Sequence, residues 1–71
     1  MVRFEFIIKK CQVQDIYDAL DMVETKFELQ YGVFHKGSTF AEIITSDDGQ
    51  NEIKAVLDKF GIKYELNEIF D

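Results

Sequence analysis

Cysteine, proline and basic residues are scarce in this 71-residue chain, and each shortage removes a class of protein. The single cysteine, Cys11, allows no internal disulfide, which favours a reducing, cytoplasmic compartment. Because proline is absent, slow prolyl isomerisation is not expected during folding. No apolar run approaches the ~20 residues of a membrane helix, and the N-terminus lacks the basic and apolar blocks of a secretory signal.

The shortage of basic residues leaves eight Lys and Arg against fourteen acids, a formal net charge of −6. Proteins that bind nucleic acids rely on Lys and Arg to neutralise phosphates, so this balance disfavours binding to DNA or RNA. It disfavours an anionic membrane surface for the same reason. Solubility is the simplest interpretation of the acidity.

Apolar side chains are abundant: 46 % of the residues are hydrophobic, and seven are Phe. Chains of roughly 60–70 residues bury only about 60 % of their unfolded surface, so they need a good core or association between subunits. The apolar content lies outside the disordered range of low hydrophobicity and high charge. The length and composition therefore predict a single small domain that spans residues 1–71, and the strand and helix patterns described next predict that it is an α+β domain.

Four stretches have the apolar–polar alternation of a β-strand. The clearest is Val2–Lys9, and the others are residues 27–34, 39–45 and 62–67. On the first strand one side carries only apolar residues, namely Val2, Phe4, Phe6 and Ile8. These strands predict a sheet with one face in a core and one face turned outward.

Two stretches have helical periodicity. Residues 12–25 place four apolar side chains on one stripe, namely Val13, Ile16, Leu20 and Val23. The second helix begins with the capping residues 46–48, and its stripe is Ile53, Val56, Leu57 and Phe60. Gly61 is expected to end it, with Ile62 folding back on Leu57 as in a Schellman motif.

The third strand has two possible inward faces. Glu42 shares one face with Phe40 and Ile44, and a buried carboxylate without a partner is expensive. We therefore expect Ala41 and Ile43 to point into the core. Phe40 and Ile44 are then left on the outward face.

The elements follow the order strand, helix, strand, strand, helix, strand. A polar link at residues 35–38, with Gly37 in a left-handed conformation, joins the second and third strands as a hairpin. Right-handed crossovers then give a ferredoxin-like βαββαβ sandwich. It has a four-stranded antiparallel sheet, central strands one and three, and both helices on one face.

The uncovered sheet face is the first candidate site. Its predicted protein-interface residues are Ile7, Phe34, Phe40, Glu42, Ile44 and Phe70. An exposed apolar cluster with a charged rim usually marks an interface. The alternative is that the tail, with Ile69 and Phe70, folds over this face and covers it.

The same face suggests a comparison with RNA-binding domains. Residues 36–43 resemble the third-strand signature of RNA-recognition motifs in their leading Lys-Gly and the aromatic Phe40. They depart from it at Ser38 and Ile43, and Arg3 stands where the first strand would carry a stacking ring. The resemblance implies RNA binding as a rival function. With the acidic balance, this rival ranks below protein binding.

A second candidate surface is acidic and lies on the outer side of the first helix. Its residues are Asp15, Asp18, Asp21 and Glu24. Carboxylates at phosphate-like spacing can occupy the basic nucleic-acid site of an enzyme, because complementary fields speed encounter. A solvated helix face is the simpler interpretation.

Residues with catalytic or metal-binding chemistry form no recognisable set. His35 has no second histidine nearby, Cys11 is a lone thiol, and the acids at residues 47–52 lack the calcium-loop pattern. We therefore predict no enzymatic activity, no cofactor and no metal.

The predicted function is that of a small acidic, non-enzymatic regulatory module in the cytoplasm. It binds or inhibits an unidentified protein partner, or forms a homodimer, through the open sheet face or the acidic helix surface. One alternative is a dimeric domain that senses a small molecule. Another is an acidic inhibitor that mimics nucleic acid.

Overall fold

The computed structural model describes residues 1–69. Its strands and helices are β1 (Val2–Lys9), α1 (Val13–Leu20), β2 (Phe27–Tyr31), β3 (Ser38–Thr45), α2 (Gln50–Lys59) and β4 (Tyr64–Glu68). Short 3-10 turns lead into the two helices, at Lys10–Gln12 and Asp47–Gly49. The predicted order of elements is confirmed.

The four strands form one antiparallel sheet in the order β2-β3-β1-β4. The central strands are β1 and β3, which pair over eight positions from Val2–Thr45 to Lys9–Ser38. This is the predicted ferredoxin-like α+β arrangement, in which both helices cover one face of the sheet. Residues 1–69 leave the opposite face open.

The core lies between the helices and the inner face of the sheet. From the sheet, Phe4 and Ile43 are fully buried, and from the helices so are Ile16, Ile53 and Leu57. The alternation on β1 is as predicted, because its four inward side chains are all buried. These residues supply most of the free energy that stabilises the fold, at about 1.5–3 kcal/mol for each large buried apolar side chain.

The inward face of β3 is also as predicted. Ala41 and Ile43 are buried at 1 % and 0 % exposure. Phe40 is exposed, and Ile44 and Glu42 are half-buried on the other side of the sheet. The argument from the cost of burying Glu42 therefore selected the correct face.

The first helix is shorter than predicted and ends at Leu20 rather than residue 25. Glu52 of α2 explains the early end, because its carboxylate accepts hydrogen bonds from the backbone N–H of Glu24 and the hydroxyl of Thr25, at 3.1 and 3.0 Å. The Thr45 hydroxyl also donates to the carbonyl of Lys26 at 2.8 Å. The N–H groups of residues 21–23 still donate to carbonyls of α1, so these contacts take over from Glu24 onward.

The second helix is entered at the predicted residues, through the 3-10 turn Asp47–Gly49 after Ser46, but without the predicted capping. Ser46 makes no side-chain capping hydrogen bond, and the Asp47 carboxylate lies 3.1 Å from the N-terminal ammonium. The buried Gly49 follows, where a Cβ atom would lie 2.6 Å from Thr25 Oγ1 and 2.8 Å from Thr45 Oγ1. Close packing against the 21–26 segment and β3, rather than capping, therefore decides this end of the helix.

The end of α2 has the predicted Schellman motif. Gly61 has a φ of +67°, and its N–H donates to the Asp58 carbonyl at 3.1 Å. The N–H of Ile62 donates to the Leu57 carbonyl at 2.9 Å, and the Ile62 side chain is buried. Because Ile62 belongs to this motif, β4 begins two residues later than predicted, at Tyr64.

The second strand ends at Tyr31, three residues earlier than predicted. The hairpin closes through an isolated bridge between His35 and Ser38. Lys36 and Gly37 between them have φ angles of +55° and +80°, as in a type I′ turn. The left-handed Gly37 is confirmed, and the sequence did not indicate the same conformation at Lys36.

Candidate functional site: the open sheet face

The open face consists of the outward-pointing side chains of the four strands. They are Arg3, Glu5, Ile7 and Lys9 of β1, Glu28 and Gln30 of β2, Ser38, Phe40, Glu42 and Ile44 of β3, and Glu65 and Asn67 of β4. The pairing of the strands arranges them in rows that cross the sheet. Each row is about 7 Å from the next along the strands.

The apolar row is formed by Ile7 and Phe40, which are directly opposite each other on the two central strands. Their exposed fractions are 57 % and 54 %. Of the outward side chains in the part of the chain that the structure describes, Phe40 is the one aromatic. The two side chains form a compact apolar patch in the middle of the sheet's width.

The acidic row lies on one side of this patch. Glu5 is directly opposite Glu42 on β3 and Glu65 on β4, so three carboxylates cross three adjacent strands. Like charges directly opposite one another destabilise a sheet. The alternation along each strand predicts the outward face for all three, but it does not place them in one row, because the register between strands is a property of the whole fold.

Arg3 offsets part of this repulsion. Its Nε lies 2.9 Å from Glu5 Oε1, but the N–H is not directed at that oxygen, and Nε has no hydrogen-bond partner within residues 1–69. The contact is therefore an ion pair without a hydrogen bond. The row retains a net negative charge.

The basic end of the face lies on the other side of the patch. Lys9 pairs with Ser38 on β3, and Lys10 and Lys36 line the same shallow depression. Lys63 lies beside Ile7. The Ile7–Phe40 patch therefore lies between an acidic row and a basic end.

Ile44 is separate from the apolar patch. It is half-buried and directly opposite Arg3 and Glu28, with the acidic row between it and Phe40. The single apolar cluster expected from the sequence is therefore divided in two. Only the Ile7–Phe40 part is strongly exposed.

The expected position of Phe34 on the open face is wrong. This residue follows the end of β2 and packs against the edge of the core, with its ring 5.8 Å from that of Tyr31. The Tyr31 ring in turn lies 6.2 Å from that of Tyr17 on α1. Phe34 turns to the helix side because the strand alternation stops at Tyr31.

The pKa of Tyr17 is raised to about 12. The largest cause is its hydrogen bond to Tyr31, followed by burial and then by the charge of Tyr31. Burial, followed by the charge of Asp58, also raises the pKa of Tyr64. Both hydroxyls are on the helix side of the sheet. They belong to the packing of the fold rather than to the open face.

The alternative expectation from the sequence is that the C-terminal tail, with Ile69 and Phe70, folds over the open face. Ile69 donates its N–H to the Met1 carbonyl at 2.8 Å, so the chain continues alongside β1 at the far end of the sheet. That position is about 20 Å along the strands from Ile7. Ile69 therefore does not cover the apolar patch, and the predicted interface residue Phe70 lies outside the described residues.

The acidic surface does not form a continuous helix stripe. Asp15 and Asp18 are exposed on α1, and Asp18 accepts a hydrogen bond from Gln14 at 2.8 Å. Asp21 caps the helix, and Glu24 lies beyond it in the segment bound to Glu52. The regular spacing that would imitate phosphates is therefore broken after Asp18.

Groups with catalytic or metal chemistry remain scattered. Within residues 1–69, no three His, Cys, Asp or Glu side chains are arranged to hold a metal ion. Cys11 and His35 are exposed. No helix in the same part of the chain is long and apolar enough to cross a membrane.

Comparisons with known proteins identify a fold and no family. No protein-family model matches the chain, and no curated protein matches it. Among solved structures, the de novo designed protein Foldit4 has a TM-score of 0.59 and 7 % identity, over 99 % of this chain and 94 % of its own. A DUF3240 family protein from Shewanella baltica has a TM-score of 0.54 and 20 % identity, over 99 % and 91 %. These similarities support the α+β fold alone.

Proposed function

We propose that this chain is a non-enzymatic protein-interaction module that binds its partner through the open sheet face. The observation that carries the proposal is the directly opposed pair Ile7 and Phe40, each more than half exposed between charged rows. An apolar patch with a polar rim is the usual composition of an interface. The lone thiol Cys11 supports a reducing, cytoplasmic location as part of the same proposal.

Binding to RNA receives less support from this face. A stacking platform needs several exposed rings and a cationic surround, and the open face offers Phe40 beside a row of carboxylates. A small-molecule site also receives less support. The depression beside Ile7 and Phe40 is open to solvent, whereas ligand pockets usually bury most of the ligand.

The test is affinity capture with matched variants. Phe40→Lys is compared with Asp58→Lys, which also introduces a lysine at an exposed position, but on α2 and outside the open face. We expect a specifically captured protein, a second copy included, to be lost with the first variant and retained with the second. Equal capture by both variants, with folding confirmed by circular dichroism, contradicts the proposal.

A further inference from the structure

We propose that the occupant of the open face is a second copy of this chain, packed face to face. The two-fold axis runs across the strands, along the row of Ile7 and Phe40. This inference rests on the proposed function, because it requires that face to be an interface. It goes further by naming the partner and the residues that meet.

The first argument is the arrangement of charge about the apolar row. Glu5 and Glu42 lie one row away on one side, and Lys9 lies one row away on the other. A two-fold axis along the apolar row exchanges these two sides. The acidic side of one copy then lies over the basic end of the other, which is the self-complementarity that a two-fold interface requires.

The second argument is the spacing along β1. Glu5 precedes Ile7 by two residues and Lys9 follows it by two, so each lies about 7 Å from the axis. The two-fold therefore places Glu5 of the first copy over Lys9 of the partner subunit. By symmetry, Lys9 of the first copy lies over Glu5 of the partner subunit. Ile7 and Phe40 meet their own copies at the centre.

The third argument excludes the neighbouring register. An axis along the acidic row would place Glu5, Glu42 and Glu65 of one copy over the same three carboxylates of the other. Stacked like charges disfavour such an interface strongly. The charge pattern therefore favours the register about the apolar row, in which Lys63, beside Ile7, comes near its own copy but the three stacked carboxylates are avoided.

The size of the face limits the affinity. Four strands about 4.8 Å apart, over some 20 Å of their length, cover roughly 400 Å². A standard stable interface buries about 800 Å² on each partner, so this face is smaller. We therefore expect a weak dimer that forms between micromolar and millimolar protein. Raising the salt concentration should weaken it further, because exposed ion pairs are screened.

The experiment is sedimentation velocity on the full chain over that concentration range. Glu5→Lys and Lys9→Glu each place two like-charged pairs in the interface. Each should raise the dimer Kd by about tenfold or more, since the pairs change from attraction to repulsion. The double variant exchanges the charges and should bring the Kd back to within a few-fold of the original.

Two controls separate this geometry from a general charge effect. Asp58→Lys and Lys26→Glu make the same charge changes at exposed positions outside the open face, on α2 and just before β2. Both should leave the Kd within about threefold of the original. Phe40→Lys should abolish the dimer while circular dichroism shows a folded monomer.

Three results would overturn the inference. A monomer at all concentrations overturns it but leaves the proposed function to the capture experiment, with a different protein on the face. A dimer that depends on Phe40 but is not restored by the double variant excludes the two-fold along the apolar row. A dimer that is unaffected by Phe40→Lys uses another surface, which also removes the support for this face as a self-interface.

Discussion

At the scale of single residues, Glu5 is the position where folding and binding make opposite demands. In one chain it lies between two carboxylates on the neighbouring strands, and within residues 1–69 the one cation paired with it is Arg3. Repulsion across the sheet lowers the free energy of unfolding. In the proposed dimer the same carboxylate gains Lys9 of the partner subunit. An acidic row that costs stability in the monomer is then part of the interface.

Glu65→Lys tests the repulsion within the sheet. The new ammonium lies directly opposite Glu5 on β1, so a repulsive cross-strand pair becomes an attractive one. We expect the free energy of unfolding to rise by about 0.5–1 kcal/mol, measured by urea denaturation at low protein concentration. Glu68→Lys is the control, because Glu68 lies opposite the apolar Val2. Equal stabilisation by both variants would assign the effect to net charge instead.

Tyr31→Phe tests the tyrosine pair on the helix side. Without the Tyr31 hydroxyl, the pKa of Tyr17 should fall from about 12 towards 10, followed by NMR of the Tyr17 ring. The folded pKa is raised, so the protonated hydroxyl stabilises the fold fully below about pH 10. This contribution is lost as the pH rises to about 12. An unchanged Tyr17 titration in the variant contradicts the assigned cause.

At the scale of elements, the ends of the helices are decided by contacts between segments. Glu52 on α2 ends α1 early by binding residues 24 and 25, and Gly49 allows the start of α2 to pack against Thr25 and Thr45. By contrast, the Schellman motif at Gly61 involves residues that are neighbours in sequence. The sequence predicted that end correctly, placed the start of α2 without the packing that decides it, and missed the end of α1.

Gly49→Ala tests the close approach at the start of α2. The added methyl group overlaps the side chains of Thr25 and Thr45, so we expect a loss of about 1–3 kcal/mol in the free energy of unfolding. Gly32→Ala is the control, because the added Cβ would be 3.4 Å from Thr39 Oγ1. Chemical denaturation measures both. A loss at Gly32 as large as that at Gly49 would argue against steric overlap as the cause.

At the scale of the whole molecule, charge is segregated although its sum is −6. Lys9, Lys10 and Lys36 gather at one end of the sheet, and the acidic row lies across its middle. Net charge alone suggested only solubility and the exclusion of phosphate-bearing partners. The order of acidic, apolar and basic rows is what favours a second copy over other occupants.

The thermal stability of the molecule should depend on its own concentration. Association stabilises the folded state by mass action, so the Tm should rise between micromolar and millimolar protein. Scanning calorimetry measures this rise. In Phe40→Lys the Tm should be independent of concentration, since that variant remains a monomer. A concentration-independent Tm in the original chain would contradict dimerisation.

The sequence by itself determined the order of the elements, the inward face of each central strand and the Schellman end of α2. These features depend on periodicity and on turn chemistry within a few residues, which can be read directly from the chain. The cost of burying Glu42 was enough to orient β3. The ferredoxin-like topology then followed from short connections and the right-handed crossover rule.

Only the tertiary structure decided the register and the contacts between distant segments. The row of Glu42, Glu5 and Glu65 exists only once three strands are aligned. The early end of α1 requires Glu52 to bind Glu24 and Thr25, which precede it by 28 and 27 positions in the sequence. Phe34 does not lie on the open face, because β2 ends at Tyr31 and the strand alternation does not extend to residue 34. Local patterns set which way a side chain points, but its neighbours across the sheet are set by the packing of the whole fold.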